Sequence, residues 1–259
     1  MFNEEIVVQT KIALITGGSR GLGRSGALTL AKRGVGIVLT YRSQKGEAEA
    51  VVAEVEKLGG KAVALALDVG ESATFAAFAE QVKHALREKW GRDNFDYLVN
   101  NAGVAGHASF AQTTEAQFME LMNIHLKGPF FLTQTLLPLM ADGGKILNIT
   151  TGLTRFAFPG YAAYATMKGA VDVLTRYMAR ELGARGISAN SLAPGAIETD
   201  FGSGAVRDNP QLNAMIASQT ALGRVGKPED IGGAIAALLS DESGWINAQR
   251  IEASGGMNV

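Results

Sequence analysis

The chain is written in two hydrophobic periods that take turns. Short apolar, β-branched runs at 11–16, 36–41, 61–66, 95–99, 144–150, 187–193 and 248–253 are separated by longer segments at 21–33, 44–58, 72–89, 115–139, 161–184 and 228–240. In those segments apolar residues recur at helical spacing. Strands that are apolar on both sides of the pleat need cover on both faces, and a helix between successive strands is the crossover that lets them run parallel. The alternation predicts an α/β fold, a parallel sheet of about seven strands between two helical layers. In the third helical segment Phe75, Phe78, Val82, Ala85 and Leu86 fall on one stripe, the face that would meet the sheet. No Pro/Ser-rich linker, repeat or charge block interrupts the pattern, so 1–259 is read as one domain. The segment 200–226 carries no clear period and is expected to be a substrate loop or lid.

Composition removes whole classes of function. A formal net charge of −1 leaves no electrostatic footprint for nucleic acid or for an anionic membrane. No uninterrupted apolar run approaches the ~18 residues of a spanning helix, so no membrane segment is expected. The opening MFNEEIVVQTK, with two acids and no long apolar run, does not read as a secretory signal. The absence of cysteine excludes disulfides, thiolate chemistry and Cys-ligated zinc, and suits a reducing cytoplasm. His84, His107 and His125 lie far apart and none forms an HExxH pairing, so no metal site is expected.

Four short motifs carry the chemistry. IALITGGSRGLG, residues 12–23, passes from an apolar run into a turn holding Gly17, Gly21 and Gly23, then restarts as a helix. Only glycine lets backbone N–H groups approach an anion closely, and a helix start adds free donors and a positive dipole end. Alone, the turn does not exclude an ordinary tight connection. Asn100-Asn101-Ala102-Gly103 ends the fourth run. Tyr164 and Lys168 stand four apart and therefore share one helix face, a spacing that by itself is a common accident. Pro194-Gly195-Ala196-Ile197-Glu198-Thr199 follows the sixth run. In a doubly wound parallel sheet, ligands bind beyond the carboxyl ends of the strands, where strand order reverses.

In this order and at these distances the motifs resemble the short-chain dehydrogenase/reductase family, over 11–256. The resemblance implies a Rossmann-type doubly wound parallel sheet that binds a nicotinamide dinucleotide. It implies that Gly17, Ser19, Arg20, Gly21, Leu22 and Gly23 form the pyrophosphate turn. Asp68 and Val69 would meet the adenine edge, with Asp68 as a helix cap an equal reading. Asn100, Ala102 and Gly103 would wall the ribose, while Asn101 ties strands together. Pro194, Gly195, Ile197 and Thr199 would hold the nicotinamide carboxamide.

The same resemblance makes Tyr164 the proton carrier. A free phenol titrates near ~10, and Lys168 together with an oxidised nicotinamide ring would favour phenolate. Lys168 would also bind the ribose hydroxyls. The place of the family's substrate-orienting serine, thirteen residues before the tyrosine, holds Thr151, with Thr150 and Thr154 as weaker stand-ins. Where the family has an asparagine before L-x-G-x-F, this chain has His125. In the family that residue's backbone carbonyl holds a water leading to the lysine, and a carbonyl survives substitution.

The second strand ends Leu39-Thr40-Tyr41-Arg42-Ser43, with no acid to bind two ribose hydroxyls. Arg20, Arg42 and a serine suit a 2′-phosphate, which favours NADP(H) over NAD(H). The expected function is a reversible carbonyl reductase similar to 3-oxoacyl-thioester and carbonyl reductases. It would pass hydride between NADP(H) and a small-molecule carbonyl or secondary alcohol through Thr151, Tyr164 and Lys168. The departures at Thr151 and His125 keep a second reading open, a nucleotide-binding sensor or scaffold on the same fold. Phe110, Phe156, Phe158 and Phe201 suggest an apolar substrate pocket. Family habit, with Phe130, Phe131, Leu132, Leu136 and Leu137 on more than one helix face, gives the expectation of a homotetramer, with a homodimer as the alternative. The expected location is cytoplasmic.

Overall fold

In the computed structural model, which describes residues 10–259, seven strands form one sheet. They are β1 (Ile12–Ile15), β2 (Gly36–Tyr41), β3 (Ala62–Ala66), β4 (Phe95–Asn100), β5 (Met140–Ile149), β6 (Ser188–Pro194) and β7 (Arg250–Ala253). Every pairing is parallel and the order is β3-β2-β1-β4-β5-β6-β7. The chain winds outward from β1 to β3, returns to the middle at β4, then winds the other way. The reversal opens a crevice above the carboxyl ends of β1 and β4. The reading of 1–9 as no secretory signal lies outside the described residues.

Alternation along β1 shows how the sheet is covered. Ala13 and Ile15 join one core with Ala27 and Leu30 of α1 (Gly21–Ala31), Val51 and Val55 of α2 (Lys45–Lys57), and Ile235 of α9 (Pro228–Leu238). Ile12 and Leu14 point the other way. They join Phe75, Phe78, Val82 and Leu86 of α3 (Phe75–Trp90), Leu132 and Leu136 of α5 (Gly128–Leu136), and Met178 of α6 (Ala162–Leu182). No helix among the described residues is long and apolar enough to cross a membrane.

Two expected elements differ. The segment 115–139 is not one helix: α4 (Glu115–Met122) passes into a single π turn at Asn123–Lys127 before α5, and β5 already begins at Met140. The cause is local. Pro129, in the first turn of α5, has no N–H to give the carbonyl four residues back, that of His125, and its ring crowds that carbonyl. The ladder shifts by one residue, and Gly128 N–H bonds Asn123 O. Gly128 also abuts the Val69 carbonyl so closely that a Cβ could not fit.

The second difference is 200–226, which is mostly helical. It holds a 3₁₀ turn at Phe201–Gly204, the short α7 (Ala205–Asp208) and α8 (Pro210–Ser218). Asn209 caps α8 by accepting from Leu212 N at 3.0 Å, with Pro210 at its start. Gly202, Ser203 and Gly204 all take positive φ (62°, 59° and 74°), which makes a sharp corner after Phe201.

Candidate active site

At the open end of β1 the turn is built by backbone conformation. Gly17 and Gly21 have φ of 63° and 53°, the left-handed region that glycine alone enters freely. A Cβ on Gly17 would press to 2.9 Å from Ala102 Cα. One on Gly23 would meet the Gly17 carbonyl and the Asn101 amide, so this glycine serves helix packing and does not line the cleft. Arg20 is the N-cap of α1 and makes no side-chain cap, which leaves the first-turn N–H donors without a side-chain acceptor. Thr40 Oγ1, at the end of β2, accepts from Gly17 N at 3.1 Å and fixes the turn against the neighbouring strand.

A cleft of about 750 Å³ extends from this turn along the carboxyl edge of the sheet. Ser19, Arg20, Gly21 and Leu22 line one end, together with Arg42 and Ser43 beyond β2. Both arginines are exposed, and neither forms an ion pair among the described residues. Asp68 and Val69 follow on the same wall. Asp68 Oδ1 accepts from Gly70 N at 2.9 Å, so it closes its own loop rather than capping a helix, while facing the cleft. Ala102 and Gly103 line the middle, and Pro194, Gly195, Ile197 and Thr199 the far wall.

Asn100 departs from its expected place. It is buried behind the wall, donating to Thr133 Oγ1 at 3.1 Å and Asn148 Oδ1 at 2.8 Å, and does not line the cleft. The physical reason is strand alternation: Asn100 faces into the sheet's core, and Asn101 faces the turn. Asn101 Nδ2 bonds the carbonyls of Thr16 at 2.8 Å and Gly17 at 3.0 Å, tying β4 to the glycine turn.

The second half of the cleft is assembled from buried side chains. Thr151 lies two residues beyond the end of β5, and Tyr164 and Lys168 stand one turn apart on α6; all three are buried and line the cleft. Lys168 Nζ donates to Ile149 O at 2.7 Å and lies 5.8 Å from the Tyr164 ring centroid. Burial lowers the Lys168 pKa to about 8, against the opposing pull of the Asp172 carboxylate. Burial raises the Tyr164 phenol well above its ordinary value, with the Thr151 hydroxyl pulling the other way. The sequence-based expectation of a depressed phenol is therefore not met by the protein alone: loss of hydration outweighs the local polar contacts. Thr150 and Thr154 are engaged elsewhere, with Leu192 O and with Asp172 respectively.

His125 sits in the π turn, 1% exposed, edge-on to Tyr164 with ring centroids 5.1 Å apart. Its Nε2 lies 2.9 Å from Val104 O, and its Nδ1 is buried without a partner. Burial, reinforced by the Lys168 charge, holds its pKa down at about 3, so the ring is neutral at physiological pH. Phe156, Phe158 and Phe201 line the cleft, as do Leu212 and Met215 of α8. Phe110 does not join them. It is 87% exposed and borders a separate shallow groove.

Sequence reading missed Val104 and the polar residues behind Thr151, namely Asp172 and Arg250. Asp172 lay four residues after Lys168, a same-face spacing that was available. Nothing local pointed to Arg250, which reaches the site only because β7 pairs with β6.

Comparison with known proteins adds an independent line. Residues 17–258 match the family model described as enoyl-(acyl carrier protein) reductase. The 3-oxoacyl-[acyl-carrier-protein] reductase of Staphylococcus aureus is 36% identical over 251 residues, covering 96% of this chain and 98% of its own. The structure of LugOII, a promiscuous reductase that catalyses keto-reduction at C1 during lugdunomycin biosynthesis, superposes with a TM-score of 0.92 at 37% identity, covering 97% of this chain and 99% of that one. The angucycline C-6 ketoreductase LanV, solved with bound NADP, gives a TM-score of 0.91 at 35% identity, with 96% of each chain covered.

Proposed function

This chain belongs to the short-chain dehydrogenase/reductase family, and from that premise we propose that it is an NADP(H)-dependent carbonyl reductase, working reversibly on a small-molecule ketone or secondary alcohol. The observation that carries the reading is the meeting, on one cleft wall, of the Thr151 hydroxyl, the Tyr164 phenol and the Lys168 ammonium, just beyond a glycine turn at an uncapped helix start. The turn suits a pyrophosphate, since Gly17 and Gly23 leave no room for a Cβ, Gly21 takes a left-handed conformation, and the helix start offers unclaimed N–H donors. Arg20 and Arg42, exposed and without ion-pair partners among the described residues, suit a 2′-phosphate; the NADP bound to LanV agrees with that choice.

A bound reduced dinucleotide would supply the hydride for the carbonyl carbon. The residues of this chain handle the oxygen and its proton. Thr151 Oγ1 and the Tyr164 O–H would donate hydrogen bonds to the substrate oxygen, and Tyr164 would release its proton to that oxygen. The raised phenol pKa keeps this acid loaded until then. Lys168 spends one N–H on Ile149 O, which leaves two for the ribose hydroxyls and the developing phenolate. His125, neutral throughout, would contribute its backbone carbonyl rather than a titrating ring. Phe156, Phe158, Phe201 and Met215 favour an apolar ketone under a lid formed by 200–226.

The same reading takes 1–259 as one dinucleotide-binding domain and a cytoplasmic location. It also takes a homotetramer, with a homodimer as the alternative. Phe130 and Phe131 are each 42% exposed on α5, in keeping with such contacts, whereas Leu132 and Leu136 are spent in the core. The test is consumption of NADPH across ketones, aldehydes and 3-oxoacyl thioesters. Steady turnover with at least one ketone is expected. Tight NADPH binding without consumption of any substrate would favour the sensor reading instead.

A further inference from the structure

Behind the cleft wall lies a buried polar network that the reaction as derived so far does not use. Asp172 follows Lys168 by one helical turn on the same face of α6, and is 8% exposed. Its Oδ1 accepts from Ser191 Oγ at 2.7 Å, and its Oδ2 from Thr154 Oγ1 at 3.1 Å. Arg250, from the edge strand β7, approaches that same Oδ2 to 3.4 Å through Nε. Its Nη2 donates to the backbone carbonyl of Thr151 at 3.0 Å, and its Nη1 lies 3.1 Å from Glu252. Glu252 is in turn held by Arg155. One guanidinium therefore touches both the residue that presents the substrate-facing hydroxyl and the carboxylate beside the active-site lysine.

A buried carboxylate needs compensation, since an unpaired charge away from water is strongly disfavoured. Arg250 and the two hydroxyls compensate Asp172 by contact, with Arg250 Nε also donating to Thr154 Oγ1 at 3.0 Å. Lys168, one turn earlier on the same face, bonds Ile149 O and forms no ion pair with Asp172, whose charge acts on the lysine through space and opposes its burial penalty. The charged and titratable groups facing Lys168 are few. Tyr164 and Asp172 lie on its own helix, and His125 approaches from the π turn as a neutral ring. The Ile149 carbonyl comes from β5, and Arg250 and Glu252 stand beyond Asp172 on β7.

We infer that Asp172 and Arg250 are positioning residues: Asp172 supplies the buried counter-charge of Lys168, while Arg250 offsets part of that charge and grips the Thr151 carbonyl, so that the hydroxyl and the ammonium are set by one device. The inference rests on the reading of Thr151, Tyr164 and Lys168 given above. It differs from a structural role in one respect: the two partners act on Lys168 with opposite sign. Reduction requires the ammonium and falls as pH rises through the lysine's pKa. Asp172→Asn removes the counter-charge, so this alkaline limb moves toward neutral pH, by about one unit. Arg250→Gln leaves Asp172 less offset, so the limb moves the other way, by about half a unit.

The experiment is the pH profile of kcat/KM for NADPH-dependent reduction by the wild type, Asp172→Asn and Arg250→Gln, with melting temperatures recorded beside it. Opposite displacements of the limb are expected. Limbs that stay in place, or move together, overturn the inference whatever happens to stability. If Asp172→Asn does not fold, Arg250→Gln alone decides, an upward shift supporting the inference and no shift or a downward one ending it. A wild type without turnover would sink the functional reading only. The same three proteins would then be compared through the pH dependence of NADPH binding by nicotinamide fluorescence, with the same two outcomes.

Discussion

The two ends of the cleft are held in place by different means. At the nucleotide end, position comes from the backbone: Gly17 and Gly21 in left-handed conformations, a helix start with unclaimed donors, and Asn101 stitching the turn to β4. The buried polar side chains there, Thr16 and Thr40, are uncharged hydroxyls that accept from backbone N–H groups of the turn and of the segment after β4, and the two arginines are exposed. At the chemical end, position comes from side chains buried against one another: Lys168 on the Ile149 carbonyl, Asp172 on Ser191 and Thr154, Arg250 on Thr151, and His125 against Tyr164. An end fixed by backbone conformation should bind its ligand almost independently of chemistry. An end fixed by buried charge should respond to pH and to single substitutions at a distance.

The sharpest way to break this contrast is Tyr164→Phe. Removing one phenolic oxygen should lower kcat by about 10²- to 10⁴-fold, while the NADPH dissociation constant, read by fluorescence, barely moves. A matching loss of affinity would mean that the two ends are not separable. Next in size is Thr151→Val, which keeps the branched shape and deletes the hydroxyl. It should cost on the order of 10²-fold in kcat, whereas Thr151→Ser should retain most activity. Retained kcat in Thr151→Val would remove Thr151 from the reaction.

At the opposite end, Arg42→Asp should weaken NADPH binding by roughly 10- to 100-fold and reverse the preference toward NADH, with kcat at saturating cofactor little changed. Equal or tighter NADH binding by the wild type would contradict the assignment of the 2′-phosphate site.

The smallest expected effect concerns His125. Its pKa is held near 3 in the folded protein against an ordinary value near 6.5. Below pH ~6.5 the unfolded chain therefore binds a proton that the native state refuses, and stability falls as pH drops through that window, by up to about 1.4 kcal/mol per unit. His125→Asn should flatten this slope between neutral and mildly acidic pH in denaturant unfolding, and leave kcat within a few-fold. A new or lost ionisation in the kcat profile of that variant would instead put the imidazole in the proton path.

The contrast between the two ends also explains what could be read from the sequence. Backbone-encoded features are local, so the glycine turn, the strand–helix alternation and the Tyr164/Lys168 spacing were all visible as short strings. Asn101 ties β4 to the glycine turn as expected, whereas Asn100 does not reach the cleft wall because its side chain is bonded inside the sheet to Asn148 and Thr133. The break at 123–127 escaped although its cause, Pro129, was in view, because apolar spacing persists through a π turn. The helix at Pro210–Ser218 carried its own Asn-Pro start signal, which the polar surroundings masked. Arg250 could not be found from sequence, since its contact with Thr151 spans 99 residues and exists only through the sheet.

The claim at the centre of the account is that this cleft delivers hydride to a carbonyl carbon while Tyr164 protonates the oxygen. An α,β-unsaturated ketone tests it directly, because it offers both a C=O and the C=C bond that the matched family model's description of an enoyl reductase would favour. Reduction with NADPH deuterated at the transferring position, followed by mass spectrometry and NMR of the product, distinguishes the two. The account predicts an allylic alcohol with deuterium on the carbinol carbon and a solvent-derived hydrogen on the oxygen. A saturated ketone with deuterium at the β carbon would contradict it.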